Sequence, residues 1–296
     1  MNLSGVYPPI ATPFDDGGDV DPRAVRTNVS RVIERGVRGI VVLGSNGEAP
    51  LLDERESDVA IAAAREATPP DRLLLAGTGR ESTRAAIDAS RRAADLGADA
   101  VLVRTPSYYK PSMTADALVA HYTALADAIP IPVLLYNYPA VTGLTLTADM
   151  VGRLATHPNI IGIKETSTDA ARLAAFVDVT RGEQFEVLAG SAPGFYAALC
   201  LGATGAILAA ACVAPRACVA LYEAFRRGSH DEARELQRRM LPVANAVTSG
   251  YGVAGLKAAL DLTGYVGGPP RSPLRPITDE GRAAIRDALA TLQDLL

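Results

Sequence analysis

Lysine is almost missing from this chain. The 296 residues hold 29 basic side chains, of which three are lysine (Lys110, Lys164 and Lys257), leaving 26 arginines. A surface supplied with arginine has little need of lysine for solubility, so each lysine merits its own reading. Cysteine is equally scarce. Cys200, Cys212 and Cys218 are odd in number and lie in alanine-rich apolar stretches. That pattern excludes a disulfide framework and predicts buried thiols in a reducing cytoplasm. The three histidines, His121, His157 and His230, stand far apart without metal-ligand spacing, so no metal is expected. No apolar stretch approaches the roughly 18 residues of a membrane span. Met1–Phe14 has no basic segment leading into an apolar run, so no secretory signal is expected either. A formal net charge of -4 offers no electrostatic footprint for nucleic acid.

What is present is an alternation. Short runs rich in Val, Ile and Leu occur at Val6–Thr12, Gly39–Leu43, Arg72–Ala76, Ala100–Val103, Pro132–Tyr136, Ile160–Lys164, Phe185–Ala189 and Thr204–Ala209. They lack polar alternation, as strands buried on both faces do. Amphipathic stretches lie between them, including Arg23–Arg35, Asp53–Ala67, Ser82–Leu96, Ala115–Ala128 and Thr168–Thr180. Asp21, Asp53, Ser82 and Thr168 read as helix N-caps, and Gly36, Gly97 and Gly202 as C-terminal stops. Eight strand–helix units predict an α/β fold, a (β/α)8 TIM barrel over residues 1–227. An open doubly wound sheet would show a glycine-rich phosphate turn after its first strand. Here Ala11-Thr12-Pro13-Phe14 follows instead. Residues 228–296 read as a C-terminal helical extension, with helices at Asp231–Val247, Val253–Leu262 and Asp279–Leu296, and no chemistry is assigned to it.

In such a barrel the site lies at the C-terminal strand ends. Lys164 closes the run Ile160-Ile161-Gly162-Ile163. An ammonium buried there must be paired or must lose its proton. A neutral amine attacks a ketone to form a Schiff base, an electron sink for making or breaking C–C bonds. The alternative is a structural ion pair with a neighbour such as Glu165. Tyr136 ends the adjacent run and suits a proton relay, which Tyr108 or Tyr109 extends. Read singly, these tyrosines equally suit core or interface. Ser45 and Asn46 lie in a glycine-bounded turn whose N–H groups suit a carboxylate, or simply a tight turn and N-cap.

Taken in order, GSNGE, TPSYY, YNYPAVTG, IIGIKETS and LAGS resemble the dihydrodipicolinate synthase/N-acetylneuraminate lyase superfamily over nearly the whole chain. The resemblance implies a cofactor-free cytoplasmic lyase that handles pyruvate and an aldehyde, built as a homotetramer from dimers. By matching positions, Lys164 is the Schiff-base lysine and Tyr136 the proton relay. Tyr108 crosses the dimer, Ser45 and Asn46 hold the 2-oxo acid carboxylate, Thr166 sits near the imine, and Gly190 and Ile207 line the pyruvate pocket. Synthases of the family carry Arg where this chain has Val141. Sialate lyases carry an Asp-Glu pair where it has Ala192-Pro193. The subgroup it resembles most is the 4-hydroxy-2-oxoglutarate aldolases. The expected activity is therefore a class I pyruvate-dependent aldolase acting on a 4-hydroxy-2-oxo acid. The alternatives are a 2-keto-3-deoxy sugar-acid aldolase or dehydratase, then 4-hydroxy-tetrahydrodipicolinate synthase, or a non-catalytic 2-oxo acid sensor. Arg104, at the end of the fourth run, is the candidate for a second substrate carboxylate.

Overall fold

Runs that are apolar on every residue need cover on both faces, and a ring of parallel strands inside a ring of helices supplies it. The computed structural model describes all 296 residues. Its strands are β1 (Gly5–Tyr7), β2 (Gly39–Val42), β3 (Leu73–Gly77), β4 (Ala100–Arg104), β5 (Val133–Asn137), β6 (Ile160–Glu165), β7 (Glu186–Ala189) and β8 (Gly205–Ile207). All neighbours are parallel, in the order β1-β8-β7-β6-β5-β4-β3-β2. A bridge between Pro9 and Val41 closes the ring: Ile10 N–H donates to the Val41 carbonyl at 2.9 Å, and Val41 N–H to the Pro8 carbonyl at 3.0 Å. The expected first strand, Val6–Thr12, pairs regularly only to Tyr7, because Pro8 and Pro9 have no N–H to donate.

Outside the ring lie α1 (Pro22–Ile33), α2 (Glu54–Ala67), α3 (Thr83–Asp95), α4 (Ala115–Ala128), the one-turn α5 (Pro139–Thr142), α6 (Ala148–Ala155), α7 (Ala170–Val179), α8 (Phe195–Cys200) and α9 (Pro215–Arg226). The chain forms the (β/α)8 barrel that its alternation predicts. Asp21, Asp53 and Ser82 cap their helices as expected, Asp53 in a reciprocal capping box with Glu56. The cap of α7 is Asp169, whose carboxylate accepts from Arg172 N–H, one residue beyond the expected Thr168. Gly36, Gly97 and Gly202 stop their helices at φ 85, 88 and 104, a conformation that residues with a Cβ rarely adopt.

Beyond the barrel come α10 (His230–Asn245), a π-helical turn Ala246–Gly250, α11 (Gly252–Leu262) and α12 (Asp279–Ala290). The last helix stops short of the expected Leu296. No helix is long and apolar enough to cross a membrane. One expectation needs correction. Cys200 is exposed, and only Cys212 and Cys218 are buried. Lys257 lies on the tail helix α11 and is fully buried.

Backbones approach closely where β3 passes the end of β2. A Cβ on Gly77 would lie 1.9 Å from the Leu43 carbonyl oxygen, and that backbone has nowhere to retreat. Gly77→Ala is expected to lower unfolding stability by about 2 kcal/mol or more in urea titration, at the upper end of overpacking costs. An unchanged midpoint would show that the strand yields there.

Candidate active site

The register of β5 against β6 sets Tyr136 opposite Lys164 and Asn137 opposite Glu165. Side chains alternate across a strand, so the first pair shares one face and the second pair the other. The Lys164 amine sits 4.3 Å from the centre of the Tyr136 ring, and only 5% of the lysine is exposed. Burial pushes its pKa down to about 7, and the one charge effect on it, from the Cys212 thiol, opposes this weakly. No carboxylate pairs with it. Glu165 cannot, because its carboxylate accepts from Asn137 Nδ2 at 2.5 Å and Ser167 N–H at 2.8 Å, with Arg172 at 3.8 Å. The ion-pair reading of Lys164 fails on this geometry. At pH 7 about half of such amines are neutral, against fewer than about one in a thousand for an ordinary lysine.

Burial also raises the Tyr136 pKa, to about 12, with the Ser45 and Thr166 hydroxyls pulling the other way. The phenol is therefore protonated at neutral pH. It lies 3.3 Å from Ser45 Oγ, and the two hydroxyls form a short relay ending at the amine's cavity. Thr166 Oγ1 is buried without a hydrogen-bond partner of good geometry, so its bonding capacity is free for a substrate. Gly190 makes room for it: a Cβ there would stand 2.2 Å from Thr166 Oγ1. The Gly190 N–H itself is engaged, donating to the Glu165 carbonyl at 2.6 Å.

Ser45–Gly47 form one 3-10 turn after β2. Leu43 (φ 57) and Glu48 (φ 55), which bracket it, are the only residues other than glycine with positive φ. Backbone strain of this kind, of order 1–3 kcal/mol per residue, persists only where surrounding structure enforces it. Thr12 Oγ1 adds a hydrogen bond to the Gly47 carbonyl at 2.7 Å.

A cavity of about 450 Å³ gathers Ser45, Asn46, Tyr136, Lys164, Thr166, Gly190 and Ile207. Lys164 is its only charged side chain. The exception among the expected residues is Tyr108, which is 79% exposed in the loop after β4, edge-on to Tyr109 with ring centres 5.0 Å apart. Sequence reasoning missed Asn245, Thr248 and Ser249, which bring amide and hydroxyl groups to the cavity from α10 and the π-helical turn. No local signal marks them, because the docking of the tail decides which face reaches the barrel mouth. π-helical turns do concentrate at functional sites. A neighbouring cavity of about 320 Å³ shares Ser45 and Tyr136 and holds Arg80 and Arg104. Arg104 donates to Glu81 at 2.8 Å, so the candidate for a second substrate carboxylate faces this side chamber and not the amine's cavity.

The model of the dihydrodipicolinate synthetase family matches residues 2–292. A 4-hydroxy-tetrahydrodipicolinate synthase of Methanothrix thermoacetophila is 37% identical over 98% of this chain and 97% of its own. Among solved structures, dihydrodipicolinate synthase of Acinetobacter baumannii complexed with pyruvate superposes with a TM-score of 0.94 at 33% identity, covering both chains fully. YagE of E. coli K12, a prophage protein of the dihydrodipicolinic acid synthase family in complex with pyruvate, gives 0.93 at 30% identity, also covering both fully.

An ammonium whose folded pKa lies below its unfolded value costs the fold stability at low pH. The unfolded chain binds the extra proton between about pH 7 and 10.5, so stability rises with pH across that window. Lys164→Met is therefore expected to be more stable than the parent at pH 6, by more than about 1 kcal/mol given 1.36 kcal/mol per pKa unit. The gain should shrink as pH approaches 10. A destabilised or pH-independent variant in denaturant titrations at several pH values would contradict the desolvated amine.

Proposed function

The chain belongs to the dihydrodipicolinate synthetase family of pyruvate-dependent Schiff-base lyases, and on that premise we propose that it joins or splits pyruvate and a neutral, hydroxyl-bearing aldehyde through an imine on Lys164. One observation carries the chemistry: a desolvated, unpaired amine faces a protonated phenol at the mouth of the barrel. In cleavage the Lys164 amine adds to the substrate C2 carbonyl and water leaves, giving the imine. The protonated imine nitrogen draws the electrons of the C3–C4 bond. The C4 hydroxyl proton passes to Tyr136 as the phenol's own proton moves on to Ser45 and the Ser45 proton to solvent in the cavity, and the aldehyde departs. The enamine is reprotonated at C3, and water hydrolyses the imine to release pyruvate and the free amine. Ser45 and Asn46 hold the carboxylate, with Thr166 beside the imine and Gly190 and Ile207 shaping the pocket.

The acceptor end of the cavity guides the choice of substrate. A second carboxylate, as in 4-hydroxy-2-oxoglutarate or aspartate semialdehyde, calls for a cation within reach. Arg104 faces the side chamber, Val141 replaces the synthase arginine and is 62% exposed, and Lys164 is committed to the imine. The expected preference for a 4-hydroxy-2-oxoglutarate-like substrate thus finds no supporting group. Thr168, Ser191, Asn245, Thr248 and Ser249 suit the hydroxyls of a 2-keto-3-deoxy sugar acid instead. The second reading, 4-hydroxy-tetrahydrodipicolinate synthase, is favoured by the names of the relatives. Tyr108, exposed and projecting, is proposed to enter a neighbouring subunit's site in a homotetramer.

Borohydride reduction in the presence of pyruvate should add one pyruvate-derived mass to the protein, and none to Lys164→Ala. Absence of the adduct at saturating pyruvate would end the imine mechanism. Tyr136→Phe should lower kcat about a hundredfold or more, the usual scale of general acid–base contributions. Among 2-keto-3-deoxygluconate, 4-hydroxy-2-oxoglutarate and aspartate semialdehyde, the sugar acid should show the highest kcat/KM. Faster turnover of either dianionic route would overturn the neutral-acceptor assignment.

A further inference from the structure

Glu48 follows the Ser45–Gly47 turn directly, and its side chain is fully buried. Its Oε1 lies 2.7 Å from the Nζ of Lys257 on α11, equally buried. Lys257 donates to the Pro269 carbonyl at 2.8 Å and rests 4.2 Å from the centre of the Phe14 ring. The other Glu48 oxygen accepts from the Arg271 backbone N–H at 2.7 Å. The Arg271 guanidinium lies over the same Phe14 ring at 4.2 Å and binds both oxygens of Glu56 at the start of α2. The tail thus takes hold of the turn from both carboxylate oxygens, at the residue whose backbone is held at φ 55.

A buried ion pair is a weak device for stability, because the desolvation of two charges offsets most of their attraction. Here it is placed where it sets geometry. Without an anchor, Glu48 relaxes from the left-handed conformation. The N–H groups and side chains of Ser45 and Asn46, three and two residues earlier, then lose their aim. We propose that Lys257, through Glu48 and with Arg271, is a positioning residue for the substrate-carboxylate cradle, which makes the helical tail part of the binding machinery. This rests on the assignment of Ser45 and Asn46 to the carboxylate.

The test is steady-state kinetics on the full-length chain, paired with thermal unfolding. The double variant Lys257→Met/Glu48→Gln keeps the side-chain volumes and leaves no unpaired charge. It should keep a midpoint within a few degrees of the parent, raise the pyruvate KM about tenfold and lower kcat less than threefold. The pyruvate concentration for half-maximal borohydride trapping should rise in step. Lys257→Met alone, which strands a buried carboxylate, should show a larger KM effect that the second substitution partly rescues. A stable double variant with unchanged KM would overturn the proposal. Failure of both variants to fold would also overturn it, by showing that the pair serves stability. Ser45→Ala and Asn46→Ala separate the premise from the inference. If they leave the pyruvate KM unchanged, the cradle assignment itself falls. If they raise it while the double variant does not, only the role of Lys257 falls.

Discussion

Everything in this site follows from placing an amine at the dry end of a parallel barrel without a counter-charge. A carboxylate beside Lys164 would stabilise the fold and hold the ammonium protonated, and an ammonium has no lone pair for a carbonyl. The structure directs the carboxylate of the next residue, Glu165, to the opposite face of β6 and satisfies it with Asn137 and Ser167 N–H. On the inner face the Tyr136 ring lies against the nitrogen, and the other side chains lining the cavity are neutral. The fold accepts the cost of desolvation so that the neutral amine is populated at physiological pH, a trade between stability and activity common at catalytic positions.

The other two lysines follow different rules. Lys257 is as deeply buried as Lys164, but it has Glu48, the Pro269 carbonyl and a ring face around it. Burial lowers its pKa, and Glu48 works against that shift. Lys110 lies exposed in the loop after Tyr108 and Tyr109. The same side chain is thus a desolvated amine, a paired ammonium or a surface charge according to whether its burial is uncompensated, compensated or absent. The strained residues show a similar division of labour. Leu43 and Glu48 bend the backbone so that a short turn faces the cavity, while Thr12 and the tail keep it bent.

Much of this was legible in the residues. Apolar runs without alternation require cover on both sides, so eight of them separated by amphipathic stretches pointed to the barrel. Strand ends then pointed to the active face, and Tyr136 and Lys164 close adjacent runs, which the β5–β6 register sets side by side. Seven of the eight expected site residues meet in one cavity because each is fixed by its place on a strand or in the turn just after one. The exception, Tyr108, sits in a loop, where no period dictates direction. Arg104 was misplaced for a related reason: it ends a strand, but the Glu81 carboxylate turns its long side chain into the side chamber.

By itself, then, the sequence determined the architecture and singled out the candidate nucleophile and relay, since these depend on local periodicity and on which residue types support imine chemistry. Tertiary structure alone decided the contribution of the tail. Lys257 and Glu48 stand more than two hundred positions apart, and Asn245 and Thr248 lie at the end of α10 and in the π-helical turn after it, a segment whose pattern reveals an apolar face but not the surface it covers. Their roles arise from docking one amphipathic layer on another, a long-range packing event that leaves no periodic trace in either segment.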